Sequence, residues 1–227
     1  LDLVTTRGSI ETYSQELRIA QSEGAFQWML CGNYQHDKTS ERQAFDPVVD
    51  SNQQLFGIPW DSFGMRNDQR IKTASVFASA QFQLSDTLTV QGSARYSDQK
   101  RDFAGCTADL GDGDIAGAFA FLSFALTGTP QTIPAGGCIT LNANGTPASI
   151  ITSELDEDNF SWRGSLNWKP SNGTLLYANI TKGYKAGSFP TLAAAVSTQL
   201  AGIKQESVLA YEIGTKIELA DRKIQID

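Results

Sequence analysis

The sequence predicts an all-β fold: an antiparallel transmembrane β-barrel segment with long extracellular loops and short periplasmic turns. Three observations carry this. Apolar and polar residues alternate with period two through most of the chain outside its loops. Connections switch between tight turns (Gln21–Gly24, Ser85–Thr87, Pro170–Gly173, Ala220–Arg222) and long stretches at roughly 35–70, 102–158 and 184–205. Outer-membrane barrels have this asymmetry, with short turns on one side and long loops on the other. Finally, no apolar run reaches the roughly 18 residues of a membrane helix, whereas barrel strands need only every second residue to be apolar.

The elements follow in order. Tyr13, Gln15, Leu17 and Ile19 share one face of a strand at about 14–20, with Glu16 and Arg18 on the other. Phe26, Trp28, Leu30 and Tyr34 alternate with Gln27, Cys31 and Asn33 over 25–34. Val76, Ala78, Ala80, Phe82 and Leu84 mark a strand at 72–84, and Leu88, Val90, Gly92, Ala94 and Tyr96 one at 88–101. Phe160, Trp162, Gly164, Leu166 and Trp168 mark 159–169; Leu209, Tyr211, Ile213, Ile217 and Leu219 mark 206–219. The strand at 174–183 has apolar residues in both phases, so its register stays open. A short strand at 223–227 ends before the roughly 9–11 residues of a full span. Asn172-Gly173 is a hairpin turn signal.

Alternation alone fits a soluble sandwich as well as a barrel, since the apolar face can be core or lipid-facing. Turn asymmetry, strand length and aromatics near strand ends (Trp28, Tyr34, Tyr96, Trp168) favour the barrel. Strand direction suggests an internal excerpt of a larger barrel, although an ascending stub within Leu1–Ile10 would restore the parity of a complete one. Leu1-Asp2-Leu3-Val4 has no signal-peptide character, so a processed chain or a piece of a longer one is expected. The 227 residues carry a net charge of −7, which argues against a nucleic-acid partner.

Two of the three cysteines, Cys106 and Cys138, fall in one long loop without zinc-type spacing. In an oxidising compartment this suggests a disulfide, with two free thiols as the bland alternative. Cys31 lies inside a strand pattern as a small filler.

Several segments resemble TonB-dependent outer-membrane receptors. Ser14-Gln15-Glu16-Leu17-Arg18 resembles their S-Q-E-L-R strand, and Gly92-Ser93-Ala94-Arg95-Tyr96-Ser97 is similar to G-x-R-Y-S. Thr181 through Phe189 looks like S-K-G-Y-K-x-G-G-F, and Glu206 through Lys216 like P-E-x-V-x-x-Y-E-I-G-x-K. Ser188 replaces a common Gly, and Gln205 a common Pro. The resemblance implies a 22-stranded barrel in the Gram-negative outer membrane, an internal plug, and TonB-energised uptake of a scarce small molecule such as a ferric siderophore. The chain matches a partial barrel domain over 1–227, without the plug or the TonB-contacting segment.

No catalytic constellation, cofactor motif or metal-ligand spacing is visible, so no enzyme activity is expected. The lone His36 builds neither a triad nor a zinc site. Asp109, Asp112 and Asp114 lack EF-hand spacing and read as a solvated turn. Glu16, Arg18, Arg95, Arg163, Glu212 and Lys216 are the lumen-facing candidates; they could attract an anionic ligand or the plug, but charge pairing across strands is the plainer expectation. Phe56, Trp60, Phe119, Phe121 and Phe124 are loop candidates for ligand contact, set against simple loop packing. The segment Ile115–Leu126 is too short to span and is expected to fold against the mouth as a short helix.

The function expected is a segment of an outer-membrane receptor for TonB-energised uptake, with lipid, plug, TonB and a small ligand as partners. A passive porin or small eight-stranded barrel, a surface-binding module and a soluble all-β binding protein are the alternatives.

Overall fold

The period-two segments assemble into one antiparallel sheet. The structure, a computed structural model, describes residues 2–47, 54–55, 57–219 and 224–226. Eight strands lie in the order β1 (Asp2–Gln21), β2 (Phe26–Pro47), β5 (Phe63–Ser85), β6 (Leu88–Ala108), β7 (Ile151–Ser171), β8 (Thr174–Lys185), β9 (Glu206–Leu219) and β10 (Ile224–Ile226). A small hairpin, β3 (Gln54–Leu55) with β4 (Ile58–Pro59), sits in the β2–β5 connection. The sheet is open: β1 and β10 each have one neighbour. The turn at Ala220–Arg222 and the ends of the 223–227 strand lie outside the described residues.

Register fixes the two faces. One row runs Leu17–Gly32–Val76–Tyr96–Phe160 across β1, β2, β5, β6 and β7. A second runs Ile19–Leu30–Ala78–Ala94–Trp162 and continues to Lys182 on β8 and Leu209 on β9. This face leaves Leu17, Val76, Tyr211 and Ile213 exposed, Ile213 at 88%. So large an apolar surface is a lipid face, not a soluble one.

The same register settles β8. Leu166 pairs with Ala178, Trp168 with Leu176, and Gly164 with Ile180, so Leu176, Ala178 and Ile180 join the apolar face. Leu175, Tyr177 and Asn179 take the other face.

The strands of β1, β2, β5, β6 and β7 are longer than their alternation marks. They run 20 to 23 residues, about twice a membrane span. More than half of the 35–70 stretch, and both ends of the 102–158 stretch, are therefore sheet. Beyond the membrane the outward face turns polar as well and the inner face mixes polar with apolar residues, so the contrast that reveals a strand fades.

Buried apolar side chains gather at the extracellular end. One cluster holds Ile115, Ala116, Phe119, Ile133, Ile139 and Leu141; a second holds Phe103, Phe189, Ala194 and Leu200. The first is built on α1 (Asp114–Thr127), an Ala- and Phe-rich helix bounded by left-handed glycines, Gly113 (φ 89°) and Gly128 (φ 71°). Glycine takes that conformation without Cβ strain. The Gly128 N–H donates to the Phe124 carbonyl at 2.7 Å, closing the helix.

Candidate functional site

Two surfaces facing away from lipid meet at the mouth: a polar wall and an apolar pocket above it. The wall carries all six lumen-facing candidates in one phase of the strands. Arg18 donates to Glu16 at 2.7 Å, two positions along the same strand. Arg95 donates to Ser75 at 2.7 Å and to Ser97 at 3.2 Å. Glu212 accepts from Asn179 at 2.7 Å and from the Tyr177 hydroxyl at 3.1 Å. Glu212 is also opposite Asn179 in register, and Lys216 is opposite Leu175. Arg163 pairs in register with Ser93 and Thr181. At Arg95 and Glu212 the direct hydrogen bonds thus go to neutral partners, while Arg163 and Lys216 lie close enough to act on Glu212 electrostatically. Serine, asparagine and tyrosine fill the inner positions of the neighbouring strands, so hydroxyls and amides reach these charges first.

Higher on the same face the connections fold inward. A cavity of about 360 Å³ is lined by Leu55, Trp60, Phe63, Ile115, Phe119 and Ile139 together with Thr107, Ala193, Ala194, Ala195 and Gln199. Trp60 meets Phe63 edge-on at 5.8 Å between centroids, and Phe63 stacks on Phe45 at 4.9 Å. Offset and edge-on ring pairs hold such walls rigid. Of the aromatic loop candidates, Trp60 and Phe119 line this cavity, while Phe121 and Phe124 are exposed. Helical spacing accounts for the difference: on α1, Phe119 faces the cluster with Ile115 and Ala116. Phe56 lies outside the described residues.

Three devices hold the roof. Cys106 on β6 is bonded to Cys138, with Cα atoms 5.8 Å apart. Around this bond, Thr107 and Thr140 stitch three segments together. Ile139 N–H donates to the Thr107 carbonyl at 2.8 Å, the Thr140 hydroxyl donates to the Ala194 carbonyl at 2.9 Å, and Ala194 N–H donates to the Thr107 hydroxyl at 2.6 Å.

The second device is Asp109, which corrects the expectation of a solvated turn. It is 1% exposed. Its carboxylate accepts from the N–H groups of Gly111 (2.7 Å), Gly113 (3.2 Å), Gly136 (2.7 Å) and Ala116 (3.4 Å). Burial pushes the carboxyl up, but these backbone donors outweigh it and hold Asp109 below its ordinary range. Asp112 instead accepts from the Ser62 hydroxyl at 2.7 Å. Among the described residues no three acidic, His or Cys groups converge as a metal site.

The third device went unmarked in the sequence. Glu157 on β7 accepts from Gly187 N–H at 3.0 Å and from Gln205 N–H at 2.8 Å, clamping both ends of the 186–205 connection. Its signal was available: Glu157 falls in the inward phase of β7 just above the apolar belt. Phe189 then stacks on Phe103 at 4.7 Å. His36 lies on the outward face between Tyr13 and Lys72, and its Nε2 has no hydrogen-bond partner.

A family model described as "TonB dependent receptor-like, beta-barrel" matches residues 4–227. The chain belongs to the TonB-dependent receptor β-barrel family. Such barrels reside in the outer membrane of Gram-negative bacteria and act as transport receptors. The fold is similar to that of the ferric yersiniabactin uptake receptor FyuA from Yersinia pestis, with TM-score 0.66 and 16% identity over 97% of this chain and 28% of that one. It is also similar to the ferric-catecholate import receptor Fiu from E. coli K12 in its closed form, with TM-score 0.53 and 14% identity over 97% of this chain and 30% of that one. The open form of Fiu gives TM-score 0.53 at 13% identity. The chain thus spans about three tenths of the length of these receptors. For a TonB-dependent receptor wall, the glycine of the 181–189 motif has a direct physical role: a Cβ on Gly187 would stand 2.5 Å from Glu157 Oε2 and from the Ile203 carbonyl.

Proposed function

We propose that the whole receptor takes up a ferric siderophore, energised by TonB acting through a plug, with this chain supplying wall and capture loops. The observation that carries the reading is the apolar, aromatic cavity of about 360 Å³ above a wall bearing Arg95 and Arg163. Trp60, Phe63 and Phe119 offer flat apolar contact for the organic part of a chelate. The arginines below offer positive charge to an anionic complex as it descends. Family membership and the names of the similar solved receptors support the same reading.

The test uses the full-length receptor. Ferric siderophores of catecholate, hydroxamate and mixed phenolate type are titrated against it, with tryptophan fluorescence as readout. Growth on the bound complex under iron limitation is then compared with and without TonB. One class binding in the micromolar range or better, with TonB-dependent growth, is expected. Trp60→Ala lowers affinity on the order of tenfold. Growth that persists without TonB, or failure of every ferric complex to bind, overturns the reading.

A further inference from the structure

We propose that the aromatic cavity at the mouth selects its ligand by an uncharged apolar arm of about two rings, and that the charged metal centre of the chelate stays outside it. The inference rests on the uptake reading above and names which part of the chelate the cavity takes.

The walls decide what can enter. Leu55, Trp60, Phe63, Ile115, Phe119 and Ile139 make the apolar surface, and among the described residues no charged side chain lines it. The two polar side chains at its edge are tied into the roof. The Thr107 hydroxyl accepts from Ala194 N–H at 2.6 Å, and Gln199 Oε1 accepts from the N–H groups of Ala195 (2.8 Å) and Val196 (3.1 Å). An ion moved into such a site loses its water and meets no counter-charge, so its entry is unfavourable.

The surroundings sharpen this exclusion. The segments that build the cavity, 54–63, 107–141 and 193–199, contain Asp61, Asp109, Asp112 and Asp114 and no lysine or arginine. Asp109 lies behind the start of α1, with Ala116 N–H among its donors, and Asp112 accepts from Ser62, next in sequence to Phe63. Every charged side chain that these segments contribute is therefore negative, and their field repels an anionic group. Cations stand further down the inner face, at Arg101 and Arg95 on β6 and Arg163 on β7. An apolar arm and an anionic core thus have separate places, one above the other.

Size sets the arm. A cavity of about 150 Å³ walled by Leu, Ile and Phe is enough for one benzene ring. At about 360 Å³, this one holds roughly two rings. Trp60, edge-on to Phe63, and Phe63, stacked on Phe45, give such rings flat and edge contacts.

The experiment uses the full-length receptor in lipid nanodiscs and a series of ferric trihydroxamates that share one chelating core. Ferric trihydroxamate cores are uncharged, so the arm alone changes the charge. The arms are acetyl, naphthoyl and carboxynaphthoyl, with quenching of tryptophan fluorescence as readout. The naphthoyl complex is expected to bind on the order of tenfold tighter than the other two. Ala195→Phe, at an exposed position of the lining, fills the cavity; it removes that gain and leaves the acetyl complex unchanged. Partition of the rings into lipid is the same for both proteins, so the difference reports the cavity. Iron-free naphthamide competes with the naphthoyl complex in wild type, which needs no variant. Equal affinity for acetyl and naphthoyl arms overturns the inference and leaves the uptake reading standing. Equal affinity for naphthoyl and carboxynaphthoyl arms overturns the exclusion of charge. A folded Ala195→Phe receptor that keeps the gain, or naphthamide that fails to compete, overturns the assignment to this cavity. Naphthamide binding while every ferric complex fails supports the cavity assignment and sinks the uptake reading instead.

Discussion

Asp109 and Gly187 show how single residues shape the mouth. Asparagine at 109 would keep one acceptor but turn an N–H donor toward Ala116 N–H, and would lose the charge that strengthens the remaining bonds. Asp109→Asn is expected to destabilise the α1 region by about 2 kcal/mol, read as lost hydrogen-exchange protection of α1 in the full-length receptor. The pH dependence follows from the same carboxylate. Its folded pKa lies below the ordinary 3.8, so its contribution is complete above that value and disappears as pH falls through the folded pKa. Protection of α1 should step down there in wild type and show no such step in the variant. Gly187→Ala places a methyl 2.5 Å from two oxygens, one of them the clamping carboxylate. Faster proteolysis within 186–205, with the barrel itself intact, is the expected outcome; unchanged cleavage rates would show that the clamp yields without cost.

At the scale of elements, the 102–158 connection behaves as a stapled unit. Cys106 and Cys138 are 32 positions apart, and a bridge of that span removes about 3–4 kcal/mol of open-chain entropy. Cys106→Ser/Cys138→Ser should free α1 and its cluster while leaving the membrane strands paired, seen as exchange gained at 114–127 and none at 88–98. Exchange spreading down β6 would instead mean that roof and wall unfold together. The sequence made the membrane half of each strand legible because lipid demands an apolar residue at every second position: Leu17, Val76, Tyr96 and Phe160 fall in one row as their phases require. It left β8 ambiguous because Leu175 and Tyr177 sit on the inner face, where the Tyr177 hydroxyl serves Glu212. The upper strand halves were illegible for another reason: the outward face there is polar too, and the inner face mixes Phe45, Phe63 and Phe103 with polar residues. The cavity was only partly readable: Trp60, Phe63 and Phe119 stood out by type, whereas Leu55 and Ile139 become lining only through tertiary folding.

For the whole molecule, the two faces make neighbouring residues unequal. Leu166 faces lipid near mid-membrane, and Ser165 beside it faces inward. Leu166→Arg in the full-length receptor should cost about 2–4 kcal/mol and Ser165→Arg far less, measured by urea unfolding in vesicles; equal costs would contradict the assignment of faces. The long strands carry a further consequence. At about 3.3 Å per residue, those of 20 to 23 residues outrun the bilayer and rise as hydrogen-bonded sheet well above it. The height of the rim is therefore set by a backbone ladder and does not depend on loop conformation. A bulky object approaching from the medium, such as an antibody or a phage tail, meets a stiff parapet first, and only a solute small enough to pass over it reaches the aromatic floor.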